Sequence, residues 1–176
     1  MLRGASSKLR AERHSILSTA FAGALSEGLA MTGRHDDALA TMNEAIDEAG
    51  RRGEPFDMPE LLRVKALVLT LSSSPDEQGA EACLSRAVVC ARRQGALAWE
   101  LRAVTTLAQL WPGPCARTAL ATTYARFTEG LQTVDLKAAK DLLDRLSRAS
   151  GPARSHITNA PKRTRKVARR DGEKKS

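Results

Sequence analysis

The residues of this sequence best suited to acid–base chemistry are the adjacent carboxylates Asp36 and Asp37, which follow His35. A catalytic carboxylate pair must face one substrate, but adjacent residues at the start of a helix point in different directions. Acidic residues at that position also interact favourably with the helix dipole. We therefore interpret the pair as a helix start and His35 as an exposed turn residue. No Ser or Thr nucleophile has a base at a recognisable spacing, so the sequence does not predict an enzyme.

Metal binding is a second chemistry to consider, because the chain has three cysteines and three histidines. Cys83 and Cys90 lie on one predicted helix, too far apart along it to bond with each other, and Cys115 has no near partner. The histidines are far from one another in sequence. We therefore predict neither a metal site nor a cofactor, and we interpret the cysteines as small buried hydrophobic residues in a reducing compartment.

The third candidate is a cluster of positive charge in the segment "PKRTRKVARR" (161–170). Residues 150–176 hold nine basic and two acidic residues, whereas residues 14–149 hold 15 basic and 17 acidic ones. The net charge of +8 therefore belongs to the ends, and the body has little electrostatic support for nucleic-acid binding. The segment lacks aromatic residues for base stacking, so we expect at most non-specific contacts with anions, or a solubilising or membrane-surface role. The candidate contact residues are Lys162, Arg163, Arg165, Lys166, Arg169 and Arg170.

The elements that must position these residues are predicted to be helices. Apolar residues make up 42% of the chain but aromatic residues only 3%, so the apolar content is mostly Ala and Leu, which suits closely packed helices. Residues 38–53, "ALATMNEAIDEAGRRG", align with residues 80–95, "AEACLSRAVVCARRQG", at an offset of 42. A fixed period of this size is typical of a helical solenoid. The offset places Ala38, Met42, Ala45, Ala49 and Gly53 on Ala80, Leu84, Ala87, Ala91 and Gly95.

A third, weaker unit is predicted from Ala98 to Phe127, interrupted at "PGPC" (112–115) because proline disrupts a continuous helix. A last amphipathic helix over 134–148 would cover the apolar end of the stack. We therefore predict an all-α chain, a right-handed solenoid of about three helical hairpins with a C-terminal capping helix.

The spacing of small and large apolar residues resembles that of tetratricopeptide-type repeats, although 42 residues is longer than their usual unit. More specifically, "RAVVCARRQGALAWELRAVTTLAQLW" followed by "YARFTEGLQTVDLKAAKDLLDRL" is similar to the C-terminus of large bacterial predicted ATPases. In that family a cyclase or winged-helix domain precedes an AAA-type ATPase domain and tetratricopeptide-like repeats. The resemblance covers roughly residues 15–148.

This resemblance implies a sensor or interaction end without the catalytic parts, because no GxxxxGK[ST] phosphate loop occurs in the sequence. The expected organisation is a basic N-terminal extension (1–13), a tetratricopeptide-like repeat domain (14–149) and a disordered basic tail (150–176). The chain would then be a free-standing offshoot or a truncated remnant.

The resemblance also implies that the first helix of each hairpin lines a concave groove for a partner. Arg63, Lys65 and Arg102 are predicted to lie on these helices, where they are candidates for binding a carboxylate or an acidic segment. A solvated helix face is the alternative. Trp99 and Trp111 either fill gaps between units or anchor a partner.

The sequence thus predicts a cytoplasmic, non-catalytic protein-interaction module. Its partner is unidentified; an ATPase or cyclase supplied in trans and self-association through an uncapped N-terminal face (16–31) are candidates. Non-specific binding of nucleic acid or an acidic surface through the tail is the alternative function. The first 26 residues loosely resemble a secretory signal, but their apolar spacing continues into one amphipathic helix, and no segment approaches the ~20 apolar residues of a membrane span.

Overall fold

The computed structural model describes residue 19 and residues 21–51, 53, 56–72 and 74–149. Within these residues every regular element is an α-helix, which confirms the all-α prediction. The predicted N-terminal extension 1–13 and basic tail 150–176 lie outside the described residues. The helices are α1 (through 21–31), α2 (His35–Arg51), α3 (Met58–Leu71), α4 (Glu77–Arg93), α5 (Leu97–Leu110), α6 (Pro114–Tyr124) and α7 (Val134–Ala149).

The turns that follow α1 and α4 share one hydrogen-bond pattern, which a glycine makes possible. After α4, the amide of Gly95 donates to the carbonyl of Arg92 at 3.1 Å and the amide of Ala96 donates to that of Ala91 at 2.9 Å. Gly95 has a φ of 65° and Gly33, after α1, has a φ of 79°. Because this left-handed conformation is unfavourable for residues with a Cβ, the glycines end these helices and let the next helix turn back.

The start of α6 differs from the sequence prediction. Pro114 was expected to belong to an interruption, but it occupies the first turn of α6. Proline is favourable there because the amide that it lacks has no partner within the helix. The interruption is therefore shorter than predicted and consists of residues 111–113.

The end of α6 also differs, since the helix stops at Tyr124 and not at Phe127. The amide of Arg126 donates to the carbonyl of Thr123 at 3.2 Å, and the amide of Phe127 donates to that of Tyr124 at 3.1 Å. These shorter-range hydrogen bonds tighten the chain into a turn. The turn lets the Arg126 side chain reach Glu100 and lets Phe127 pack against the core.

The helices pack in chain order, with one additional row of contacts. Each helix from α2 onward contacts the next one, and α3 contacts α5, which in turn contacts α7. Helix α1 extends this row, because a Cβ on Gly23 would lie 3.9 Å from Cγ2 of Val64 on α3. Helices α1, α3, α5 and α7 therefore form a row in which each helix lies next to the following one.

The core contains seven of the eight Ala, Met and Leu residues that the repeat had aligned, and the eighth, Ala45, is half-buried. Met42 on α2, Leu84 on α4 and Leu120 on α6 are fully buried. Each has buried small residues on the same helix, which let neighbouring helices approach closely. The apolar stripe predicted for the last helix is confirmed too, since Leu136 and Leu142 of α7 are buried against this core.

Candidate functional site

Two of the three predicted groove residues, Arg63 on α3 and Arg102 on α5, lie together because both bind Glu60. Arg63 donates from Nε to Oε2 of Glu60 at 2.9 Å and from Nη2 to Oε1 at 2.8 Å. Nη2 of Arg102 lies 2.8 Å from the same Oε1. Lys65 lies on another side of α3, near Cys83 on α4, where burial raises the pKa of the thiol and the charge of Lys65 opposes that rise. The structure thus brings together two of the three residues.

Arg63 connects α3 with α1 from a largely buried position. Its side chain is 11% exposed, and besides Glu60 it lies 3.6 Å from Oε1 of Glu27 on α1. Burial alone would lower the pKa of Arg63, but the hydrogen bond and charge of Glu60 outweigh it, so the pKa is raised. Arg63 is therefore a fixed cation with carboxylate partners in its own chain.

An aromatic pair lies beside these charges. The Arg102 guanidinium lies 5.4 Å from the ring centroid of Trp99, within the range of a cation–π interaction. The ring of Phe56, which is exposed, meets Trp99 edge to face, with 6.3 Å between centroids and 62° between planes. Trp111 has a different role, since it packs against the buried cluster around Leu84. Trp111 thus fills a gap between helices, while Trp99 faces the surface groove described next.

A groove of about 280 Å³ lies between α1, α3 and α5. We call it the α1–α3–α5 groove. Its apolar lining comes from Ala24 on α1, Leu61 and Val64 on α3, and Trp99 on α5. Its charged lining consists of Arg102 and three carboxylates, from Glu27, Asp57 and Glu60.

Asp57 is the most unusual of these carboxylates. It is 7% exposed and precedes α3, but its side chain makes no capping hydrogen bond to that helix. Its Oδ2 accepts a hydrogen bond from the hydroxyl of Thr19, whereas its buried Oδ1 has no hydrogen-bond partner among the residues that the structure describes. A buried carboxylate oxygen without a donor is energetically costly. Oδ1 of Asp57 is therefore the atom of the groove that would gain most from a cationic donor.

Two arginines of this site, Arg63 and Arg102, were predicted from the sequence, but its carboxylates were not. Asp57, Glu60 and Arg63 are spaced three residues apart, which places them on one side of α3 and its first turn. That spacing was the available signal. The signal was missed because the sequence of α3 alone does not show that α1 and α5 pack beside it.

A second buried carboxylate, Glu100 on α5, lies outside the groove and joins three helices. It accepts hydrogen bonds from Nε of Arg92 at 2.7 Å, from Nη1 of Arg126 at 2.6 Å and from the hydroxyl of Thr123 at 3.2 Å. Burial favours a higher pKa for Glu100, but the hydrogen bonds and charges of both arginines outweigh it, so the pKa is lowered. A carboxylate held ionised by two arginines is suited to holding helices together and not to proton transfer.

The residues considered first for chemistry are dispersed. Asp37 pairs with Arg34 at 2.7 Å on the surface. His35 was expected in an exposed turn, but it is half-buried and begins α2. Cys90 is buried, as expected, whereas Cys83 is only half-buried. The same expectation was wrong for the third cysteine, which is exposed at the start of α6.

Among the residues that the structure describes, no group of three or more His, Cys, Asp or Glu side chains could hold a metal ion. In the same part of the chain no helix combines the length and apolar character needed to cross a membrane. No protein-family model matches the chain, and no match was found among the curated proteins or the solved structures. The six basic tail candidates lie outside the described residues.

Proposed function

We propose that the chain is a non-catalytic protein-interaction module built as a right-handed α-solenoid, with three tetratricopeptide-like hairpins and a capping helix. The hairpins are α1–α2, α3–α4 and α5–α6. In support, the contacts of α3 with α5 and of α5 with α7 join successive first helices, as expected of stacked units. The 42-residue offset also places Met42 and Leu84 at equivalent buried positions on α2 and α4.

The observation that carries the interaction proposal is the α1–α3–α5 groove with Trp99 as one wall. Trp and Arg are enriched at the energetic centres of protein interfaces, and Trp99 contacts both Phe56 and Arg102 beside the groove. The groove crosses the first helices of three hairpins, so an extended partner segment lying in it would contact all three.

Trp99→Ala tests this proposal in a pull-down from the nuclease-treated lysate of the source cells. The matched control is Val89→Ala, which truncates an exposed side chain on α4, away from the groove. We expect a protein retained at high salt by the unmodified chain and by Val89→Ala but lost by Trp99→Ala, with equal helical circular dichroism for all three. Equal retention by Trp99→Ala would show that the groove is not the interface.

The retained protein would also separate the candidate partners. An ATPase or cyclase without repeats of its own would support a complex formed in trans, as the family resemblance implies. Recovery of a differently tagged copy of the same chain would support self-association. Either result in a cytoplasmic fraction agrees with the proposed location.

Non-specific binding of nucleic acid through the tail is the second candidate function, favoured by the six Lys and Arg residues between 161 and 170. Such binding should weaken steeply with salt, because phosphate contacts release counterions. A chain ending at residue 150 should lose both the binding and its salt dependence. Binding that survives this truncation would assign nucleic-acid affinity to the helical body.

A further inference from the structure

The α1–α3–α5 groove and its immediate surroundings have an excess of negative charge. Glu27, Asp57 and Glu60 supply three carboxylates, and Arg63 and Arg102 supply two guanidinium groups. Both guanidinium groups bind Glu60 at 2.8 Å. Arg63 also lies 3.6 Å from Glu27, so the carboxylate of the groove that is left without a guanidinium partner among the described residues is Asp57, whose Oδ1 has no donor there.

The shape and polarity of the groove favour a lysine side chain as its occupant. Ala24, Leu61 and Val64 provide apolar surface along which an alkyl stem can lie. One buried acceptor, Oδ1 of Asp57, suits a compact ammonium group, whereas a planar guanidinium needs two acceptors to use its geometry. Glu27, which is half exposed, can attract the same ammonium at the edge of the groove.

This chain itself contains a segment with the required charge. Residues 150–176 have seven more basic than acidic residues, and residues 14–149 have two more acidic than basic ones. We propose that the basic segment 161–170 docks in the α1–α3–α5 groove of its own chain, with Lys162 or Lys166 paired with Asp57. The inference rests on the proposed function, because it uses the same groove as a docking surface and makes the segment a competitor of the partner.

The connection is long enough for this docking. Helix α7 has 16 residues and is therefore about 24 Å long. Asp135, in its first turn, lines the surface next to Phe56, Trp99 and Arg102. Residues 150–161 can span up to about 40 Å when extended, so the segment can return past the length of α7 to the groove. Tethering also raises its local concentration to about the millimolar range, which compensates for weak individual contacts.

Zero-length coupling of amines to carboxylates with a carbodiimide, followed by peptide mass spectrometry, tests the docking in the intact chain. We expect coupling of Glu27 to Lys162 or Lys166 within one chain. Asp57→Asn preserves the shape of the side chain and an acceptor for Thr19 but removes the charge. It should reduce the Glu27 coupling about tenfold, the effect of losing about 1.4 kcal/mol of attraction.

Two further variants keep the test decisive if Asp57→Asn alters the fold. Replacing Arg163, Arg165, Arg169 and Arg170 with Gln changes no residue of the described helices and keeps both lysine amines. Because the docking depends on the positive charge of the segment, this variant should reduce the coupling of Glu27 to Lys162 or Lys166. Asp47→Asn, at an exposed position on α2, is the matched control and should leave the coupling unchanged.

Three results would overturn the inference. The first is coupling spread evenly over exposed carboxylates, and the second is coupling of Glu27 that is unchanged in a folded Asp57→Asn chain. The third concerns a mixture of isotope-labelled and unlabelled chains: coupling found only between labelled and unlabelled chains would indicate that the occupant is a second copy. The experiment needs no partner protein. Failure here would therefore leave the interaction proposal standing, and failure of the partner pull-down would leave this inference standing.

Discussion

Nη1 of Arg126 lies 2.6 Å from Oε2 of Glu100, although 26 residues separate the two in the sequence. Glu100 is buried in α5, and Arg126 follows the end of α6. Arg92, near the end of α4, binds the other carboxylate oxygen at 2.7 Å. One carboxylate thus holds the ends of the two helices that flank α5, so α4 and α6 are both joined to α5 by charge as well as by packing.

Glu100→Gln should lower the free energy of unfolding by about 2 kcal/mol at neutral pH, because it weakens two charged hydrogen bonds at a buried position. The arginines are half exposed and can be hydrated, which limits the loss. Urea denaturation monitored by circular dichroism measures it. Glu44→Gln, at an exposed position on α2, is the matched control and should change stability by less than about 0.5 kcal/mol.

The same substitution has a predicted pH dependence. The folded state lowers the pKa of Glu100 below its ordinary value of 4.5, so ionised Glu100 stabilises the fold fully above that value. The contribution is lost as the pH falls from 4.5 through the lower folded pKa. The stability difference between the unmodified chain and Glu100→Gln should therefore be constant near neutrality and narrow in acid. A difference that widens in acid would contradict the ion-pair assignment.

The buried repeat position on α4 gives a second prediction. Leu84→Ala should cost about 2–5 kcal/mol, because it removes a fully buried side chain and leaves a cavity. Val89→Ala on the same helix truncates a side chain that is 63% exposed and should cost less than about 0.5 kcal/mol. Chemical denaturation of both variants checks the contrast. Similar losses would mean that the outer face of α4 is packed as well.

The repeat positions could be predicted from the sequence because they depend on local periodicity. The alignment at an offset of 42 identified Met42 and Leu84 as equivalent, and both are fully buried. The last helix was predicted over 134–148 and is observed as Val134–Ala149. In each case the apolar stripe of a helix and the residue that ends or begins it are close together in the sequence. The position of the helix and its buried face could therefore be predicted without knowing any contact between distant residues.

The groove and the end of α6 could not be predicted in the same way. Helix α6 ends at Tyr124, and the turn that follows lets Arg126 reach Glu100; nothing in the residues between Glu100 and Arg126 indicates that pairing. Likewise, Arg63 was considered as a candidate for binding a partner or as part of a solvated helix face. Glu60 lies three residues away on the same helix, but the proximity of Glu27 depends on how α1 packs on α3. The groove and the end of α6 thus depend on contacts between helices that are distant in sequence, and local residue patterns do not predict such contacts.

The start of α4 gives a third prediction: the effect of Gly79→Ala on stability should depend on whether Asp76 is present. Oδ1 of Asp76 accepts a hydrogen bond from the amide of Gly79 at 2.8 Å, and a Cβ on Gly79 would overlap the other carboxylate oxygen. Gly79→Ala should therefore gain nothing or lose stability in the unmodified chain, because the cap is displaced. After Asp76→Ala, which itself costs about 1 kcal/mol, Gly79→Ala should stabilise the helix by about 1 kcal/mol. A double-mutant cycle by denaturation measures the coupling, and equal effects in both backgrounds would contradict it.

Two exposed glycines with open space around them give the last prediction, in which the same substitution has opposite effects. A Cβ on either Gly28 or Gly95 would meet no atom within 4 Å, so only the backbone conformation distinguishes them. Gly28 lies inside α1, where alanine is the better helix former, so Gly28→Ala should raise the free energy of unfolding by about 0.5–1 kcal/mol. Gly95 has a φ of 65°, which is unfavourable for alanine, so Gly95→Ala should lower the free energy of unfolding by about 1–2 kcal/mol. Stabilisation by Gly95→Ala would mean that the α4–α5 turn is not held in this conformation, whereas destabilisation by Gly28→Ala would mean that another group packs on α1 at that point.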